Sequence, residues 1–192
     1  MTGLVERLSR WSAWLAGALV LLSGLLIAGD VVLRNALRIV PFFSFELSRY
    51  LFAAATAFGF SFALSQRAHI RIDPLVKLAS GRLRAWLDLL ALAAVVPLAA
   101  VMTWSAWSVV SESVALRAIS NSALGVPLAW PQSVWAVGVT WFLVTASVLT
   151  AACLRGLLVG DLAAVERLAG LPEIGAGATE LAPTALVAES RS

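Results

Sequence analysis

The feature that most constrains this chain is a set of long stretches nearly free of charge. Residues 11–33, 47–66, 85–111 and 131–154 are almost wholly apolar, and each reaches the length of about 20 residues that crosses a bilayer as helix. Hydrocarbon offers no partner to backbone N–H and C=O groups, so each block is predicted to be an α-helix that pairs its own backbone. The expected fold class is therefore an all-α integral membrane protein with four transmembrane helices. Composition agrees. The 192 residues are 60% hydrophobic and 13% charged, well below the charge of about 25% carried by a soluble domain.

The charges lie between the blocks. Arg7 and Arg10, then Arg67, Arg71, Lys77, Arg82 and Arg84, then Arg155 and Arg167 fall on one side of a four-span protein; Arg34, Arg38 and Arg117 fall on the other. The excess of basic residues on the first side predicts that both termini are cytoplasmic. The net charge of +3 thus reflects topology and is no nucleic-acid signal. Tryptophans mark the same boundaries: Trp11, Trp14 and Trp86 at the cytoplasmic interface, Trp104, Trp107, Trp130 and Trp135 at the outer one, and Trp141 alone well inside. Such belts anchor spans at the headgroup level.

Shorter signals complete the organisation. Leu4, Val5, Leu8 and Trp11 share a helical face, so residues 1–10 are expected to form an interfacial lead-in to the membrane domain of residues 11–155. Asp73-Pro74 resembles an N-cap followed by proline at the first helical position; "DPLVKLAS" then forms a second short interfacial helix, ended by Gly81. Pro131 is expected to open the fourth span, and Pro97 to kink the third. The first block exceeds a signal-peptide core and no small-x-small site follows it, so it is expected to remain as a span. Residues 156–192 form a cytoplasmic tail. "DLAAVERLAG" offers an amphipathic turn or two, and from about residue 172 the composition predicts disorder.

Polar residues at membrane depth are the candidates for a role. Asp30 and Arg34 are four apart with the acid first, the favourable order on one helix face. Glu46 and Arg49, three apart, also share a face, and only eleven residues separate Arg34 from Glu46. Ionisable groups at the bilayer centre cost ~2.5–3.5 kcal/mol each on insertion scales, so their presence asks for an explanation. Three readings are open: snorkelling ion pairs that set span depth, a contact surface for another membrane subunit, or a substrate or proton site. In the second span Ala55, Gly59 and Ala63 make one stripe of small side chains, and Ala57, Ser61 and Ser65 a second. Small faces let helices approach closely, within the chain or against a partner.

Several functions are excluded. A haem needs axial ligands inside the spans, and the one histidine, His69, lies in a loop. No set of His, Cys or carboxylate ligands has zinc spacing. No span carries a histidine or lysine to act as base for a nucleophilic serine. Cys153 is the sole cysteine, so no internal disulfide forms. No catalytic, cofactor-binding or metal-binding residue is therefore assigned. A stand-alone carrier needs polar groups near mid-membrane on broken helices, which these spans lack.

Two stretches carry a family resemblance. "GDVVLRNALRIVPFFSFELSRYLFAAATAFGFSFALSQRAHIRIDPL", residues 29–75, resembles the small membrane subunit, or small permease, of the tripartite ATP-independent periplasmic (TRAP) transporters. The shared features are Arg34 ending the first span, Glu46-Leu47 opening the second, a small face with Gly59, then Arg67 and "HIRID". "SNSALGVPLAWPQSVWAVG", residues 120–138, is similar to the family's entry to its fourth span, with Pro127 in place. Phe45-Glu46 stands where the family often has two acids, and Val137-Gly138 where it usually has Pro-Gly.

The resemblance implies a multi-pass protein of the bacterial cytoplasmic (inner) membrane, without cofactor and without enzymatic activity, surrounded by membrane lipids. Its partners are a large TRAP permease subunit and an extracytoplasmic substrate-binding protein. In such sodium-coupled symport of organic acids, carboxylates above all, the large subunit moves substrate by an elevator motion and the small one is a fixed scaffold. Asp30, Arg34, Glu46 and Arg49 are then expected at the partner interface. His69 is expected to fix the turn after the second span, with Asp73 or a backbone group as its partner. The alternative is a self-contained four-span protein, such as a homo-oligomeric exporter.

Overall fold

A computed structural model describes residues 2–36, 38, 44–66, 81–122, 124–161, 165 and 168. Four helices account for nearly all of them: α1 (Thr2–Ala36), α2 (Ser44–Ser65), α3 (Gly81–Ala115) and α4 (Ala129–Val159). All four are long and apolar enough to cross a membrane. The expected interfacial helix over "DPLVKLAS", together with His69 and Asp73, lies outside the described residues.

Helix ends differ from the sequence expectation for identifiable reasons. α1 is continuous from Thr2, so the expected lead-in over residues 1–10 is the start of the same helix. At a rise of about 1.5 Å per residue, 35 residues extend about 52 Å, well past the roughly 30 Å of hydrocarbon. The surplus turns carry Arg7 and Arg10. Gly81 opens α3; the short helix expected to end there lies outside the described residues. Pro97 lies inside α3, which continues through it. α4 begins at Ala129, two residues before Pro131, and the first α-helical bond in its opening turn is donated by Gln132 N–H to Leu128 O at 3.2 Å. Pro131 therefore sits in the first turn, where its missing N–H leaves no bond unmade.

Two helices end in left-handed residues. Arg117, at φ 47°, follows α3, with Arg117 N–H bonding Val114 O at 3.2 Å and Ala118 N–H bonding Ser113 O at 2.9 Å. Gly160, at φ 81°, closes α4 through bonds to Leu157 O and from Asp161 N–H to Gly156 O. Both are Schellman caps. Past the second, Val165 packs into the core beside Gly156; most of "DLAAVERLAG" lies outside the described residues.

The helices are arranged α1–α2–α4–α3, with α1 against α2, α2 against α4, and α4 against α3. The core lies among the last three, where Leu64 of α2 meets Leu89, Leu92 and Ala99 of α3 and Phe142, Ala146, Leu149 and Cys153 of α4. Phe60 and Phe142 stack tilted across α2 and α4 with centroids 5.6 Å apart. α1 is peripheral. Only 11% of its most apolar window is buried against the chain, compared with 33% for α2. Its inward face carries Val5 and the small residues Ser9, Ser12, Ala16 and Ser23. Its outward face is apolar, an arrangement that suits lipid or another membrane protein and not water.

Candidate functional site

α2 and α4 approach closely at Gly138. A Cβ placed on Gly138 would sit 2.7 Å from Ala57 Cβ and 3.2 Å from backbone atoms of Ala57 and Phe58. Ala57 and Ser61 are fully buried there. Packing within the chain thus takes in Ala57 and Ser61 of the second small stripe and Ala55 of the first. Gly59 of the first stripe has open space where a Cβ would stand, so the intra-chain close approach considered for it is absent.

The polar centre is built at the first turn of α2. Helix N-termini leave N–H groups unpaired and favour acids, which suits Glu46. Its side chain is turned inward, 8% exposed. Tyr50, one turn on, donates its hydroxyl to Glu46 Oε1 at 2.5 Å. Ser122, from the α3–α4 loop, donates to Oε2. Ser122 in turn accepts from Ser120 Oγ at 3.0 Å and from Leu124 N–H at 3.3 Å.

That loop is itself ordered. Ile119 and Pro127 form an antiparallel bridge, Ser120 N–H bonds Val126 O at 2.8 Å, and Leu128 N–H bonds Ala118 O at 3.0 Å. Gly125, at φ 54°, closes the turn begun at Ser122 with a 3.2 Å bond, a backbone geometry that glycine adopts without strain. Glu46 therefore ties the start of α2 to a rigid hairpin between α3 and α4.

The other sequence candidates divide. Arg34 Nη2 pairs with Asp30 Oδ2 at 2.9 Å, as the spacing indicated. Asp30 Oδ1 is buried without a hydrogen-bond partner among the described residues. Arg49 does not pair with Glu46, contrary to the ion-pair reading; its guanidinium lies over the Phe45 ring, 5.5 Å from the centroid. The reason is that Tyr50 and Ser122 take both carboxylate oxygens on the inward side, while Arg49 stays exposed. No hydrogen bond or ion pair joins the Asp30–Arg34 and Glu46–Arg49 positions among the described residues. α1 and α2 are joined instead by Ser23 Oγ donating to Ser48 O at 3.2 Å.

Three features escaped the sequence reading. Tyr50 stands four residues after Glu46, a spacing that was available as a signal. Asp88 is 3% exposed within α3, four residues after Arg84, and was equally visible as an acid inside a span. Ser122 is 76 residues from Glu46, and no local pattern links the two. No group of three or more His, Cys, Asp or Glu among the described residues is placed to hold a metal ion.

No protein of curated function matches the chain significantly. The model of one family does match, over residues 23–157 of the 192. The match runs from the Ser23 contact on α1, through Glu46 and the α3–α4 hairpin, almost to the end of α4, and so takes in every interhelical tie described above. The chain belongs to the DctQ component family of the tripartite ATP-independent periplasmic transporters.

Proposed function

We propose that this chain is the non-catalytic small membrane subunit of a sodium-coupled, binding-protein-dependent TRAP transporter importing an organic acid of carboxylate type. It scaffolds the large elevator-type subunit in a bacterial inner membrane, with both termini cytoplasmic. Family membership supplies the coarse reading. The observation that carries the scaffold role is the double tie between helix pairs: the Ala57–Gly138 contact at mid-helix and the Glu46–Ser122 bond at the α2 start. A subunit braced twice across its middle suits a fixed support and not a moving carrier. Meanwhile α1 leaves an apolar face free for a partner.

Asp30, Arg34 and Arg49 are proposed to meet the large subunit. Glu46 supports that surface from inside, and His69 and Asp73 shape the turn after α2. Affinity purification from the native membrane in mild detergent, followed by mass spectrometry, tests the role. A stoichiometric large polytopic partner is expected, together with weaker recovery of it after Glu46→Ala than after Trp141→Ala. A partner-free homo-oligomer would overturn the proposal, and equal recovery from both variants would overturn the part assigned to Glu46.

A further inference from the structure

We propose that the outward face of α1 near its start is a binding site for an anionic phospholipid. A groove of about 550 Å³ opens there, lined by Arg7, Arg10, Trp11 and Trp14. These residues are spaced i, i+3, i+4 and i+7, so they stand on one helical face. Val5, Ser9, Ser12 and Ala16 occupy the opposite face and are buried. The lining side chains therefore stand on the face of α1 opposite the one it buries among the described residues. Among the described residues neither arginine has an ion-pair or hydrogen-bond partner, although Glu6 stands four residues before Arg10.

The order of chemistry along the helix is that of a lipid molecule. Two guanidiniums come first, suited to a phosphate, which arginine holds through paired N–H donors. Two indoles follow, both 74% exposed, at the depth where tryptophan settles between headgroup and chain. Below them Leu21 and Leu25 continue the same exposed face. From Trp11 to Leu25 is about 21 Å of helix, longer than the roughly 15 Å of one leaflet's hydrocarbon, so an acyl chain can lie along it. Charge selects the headgroup: a net-anionic lipid satisfies both arginines, whereas a zwitterionic one brings its own cation. A lipid here requires only that the helices span a membrane, so its failure would leave the transporter reading untouched.

The test is native mass spectrometry of the protein, purified with its accompanying subunits, after addition of phosphatidylglycerol or phosphatidylcholine of identical chains. Wild type is expected to retain phosphatidylglycerol preferentially. Arg7→Gln and Arg10→Gln are each expected to reduce that preference about fivefold, and an Arg7→Lys, Arg10→Lys variant to keep most of it. A photoactivatable phosphatidylglycerol should label the peptide containing Trp11 and Trp14 in unmodified protein, a result independent of how the variants fold. Unchanged selectivity in the glutamine variants overturns the proposal. So does labelling confined to other peptides, or full displacement of the lipid by inorganic phosphate. Loss of the large subunit with lipid retained would make this face a protein contact instead.

Discussion

Replacing Gly138 with alanine tests the packing of α2 on α4 at its tightest point. The added methyl would stand 2.7 Å from Ala57 Cβ, where two carbons in contact prefer about 3.5–4.0 Å. Relief needs a separation of about 1 Å. Neither neighbour can rotate away, because one is a Cβ fixed to its backbone and the others are backbone atoms of Ala57 and Phe58. Because backbone itself must move, overpacking here costs about 2–3 kcal/mol, the upper part of the usual range. Alanine returns up to about 1 kcal/mol of helix propensity, so a net loss of about 1–2 kcal/mol is expected. Gly59→Ala has the same propensity gain and no neighbour within 4 Å, and should be neutral or stabilising. Cys153, the sole cysteine, is fully buried in the core, so a thiol-reactive dye reports unfolding in detergent directly. Gly138→Ala should lower the midpoint by about 2–8 °C, and Ala57→Gly in the same chain should recover part of it. A Gly138→Ala midpoint equal to wild type, or a Gly59→Ala loss as large, would refute the packing argument.

Three further outcomes follow from the same structure. Tyr50→Phe and Ser122→Ala should each lower the melting midpoint, and together by more than their sum, because Glu46 is then left with neither donor; purely additive melting shifts would contradict the shared site. Arg117→Gly should stabilise and Gly160→Ala destabilise, each by roughly 1 kcal/mol, since only glycine holds a left-handed φ without a Cβ clash; opposite signs in dye-melt midpoints would count against those caps. In a Cys153→Ala background, a membrane-impermeant maleimide applied to intact cells should label Asn121→Cys and spare Leu4→Cys; the reverse pattern would invert the proposed orientation.

Much of this protein was legible before any coordinates. The four helices are, because a bilayer leaves a long uncharged stretch only one way to pair its backbone. Asp30–Arg34 is, because both groups sit on one helix four residues apart and their distance depends on local geometry alone. Glu46 is legible as an acid opening a span, while the Tyr50 and Ser122 hydroxyls that hold it are not. The i, i+3 spacing brings Arg49 within reach, but it carries no information about which way the helix is turned.

Rotation about the helix axis and contact across long separations were decided by the tertiary structure. The two small stripes of α2 look alike in sequence; only docking against Gly138 selects Ala57 and Ser61 and leaves Gly59 open. The bond from Ser122 to Glu46 needs a specific loop, with its Gly125 turn and its bridge, to arrive beside the first turn of a helix 76 residues earlier. Local sequence sets what each segment is, because backbone pairing and solvent preference are local. Which faces meet is set by side-chain packing among all four helices at once.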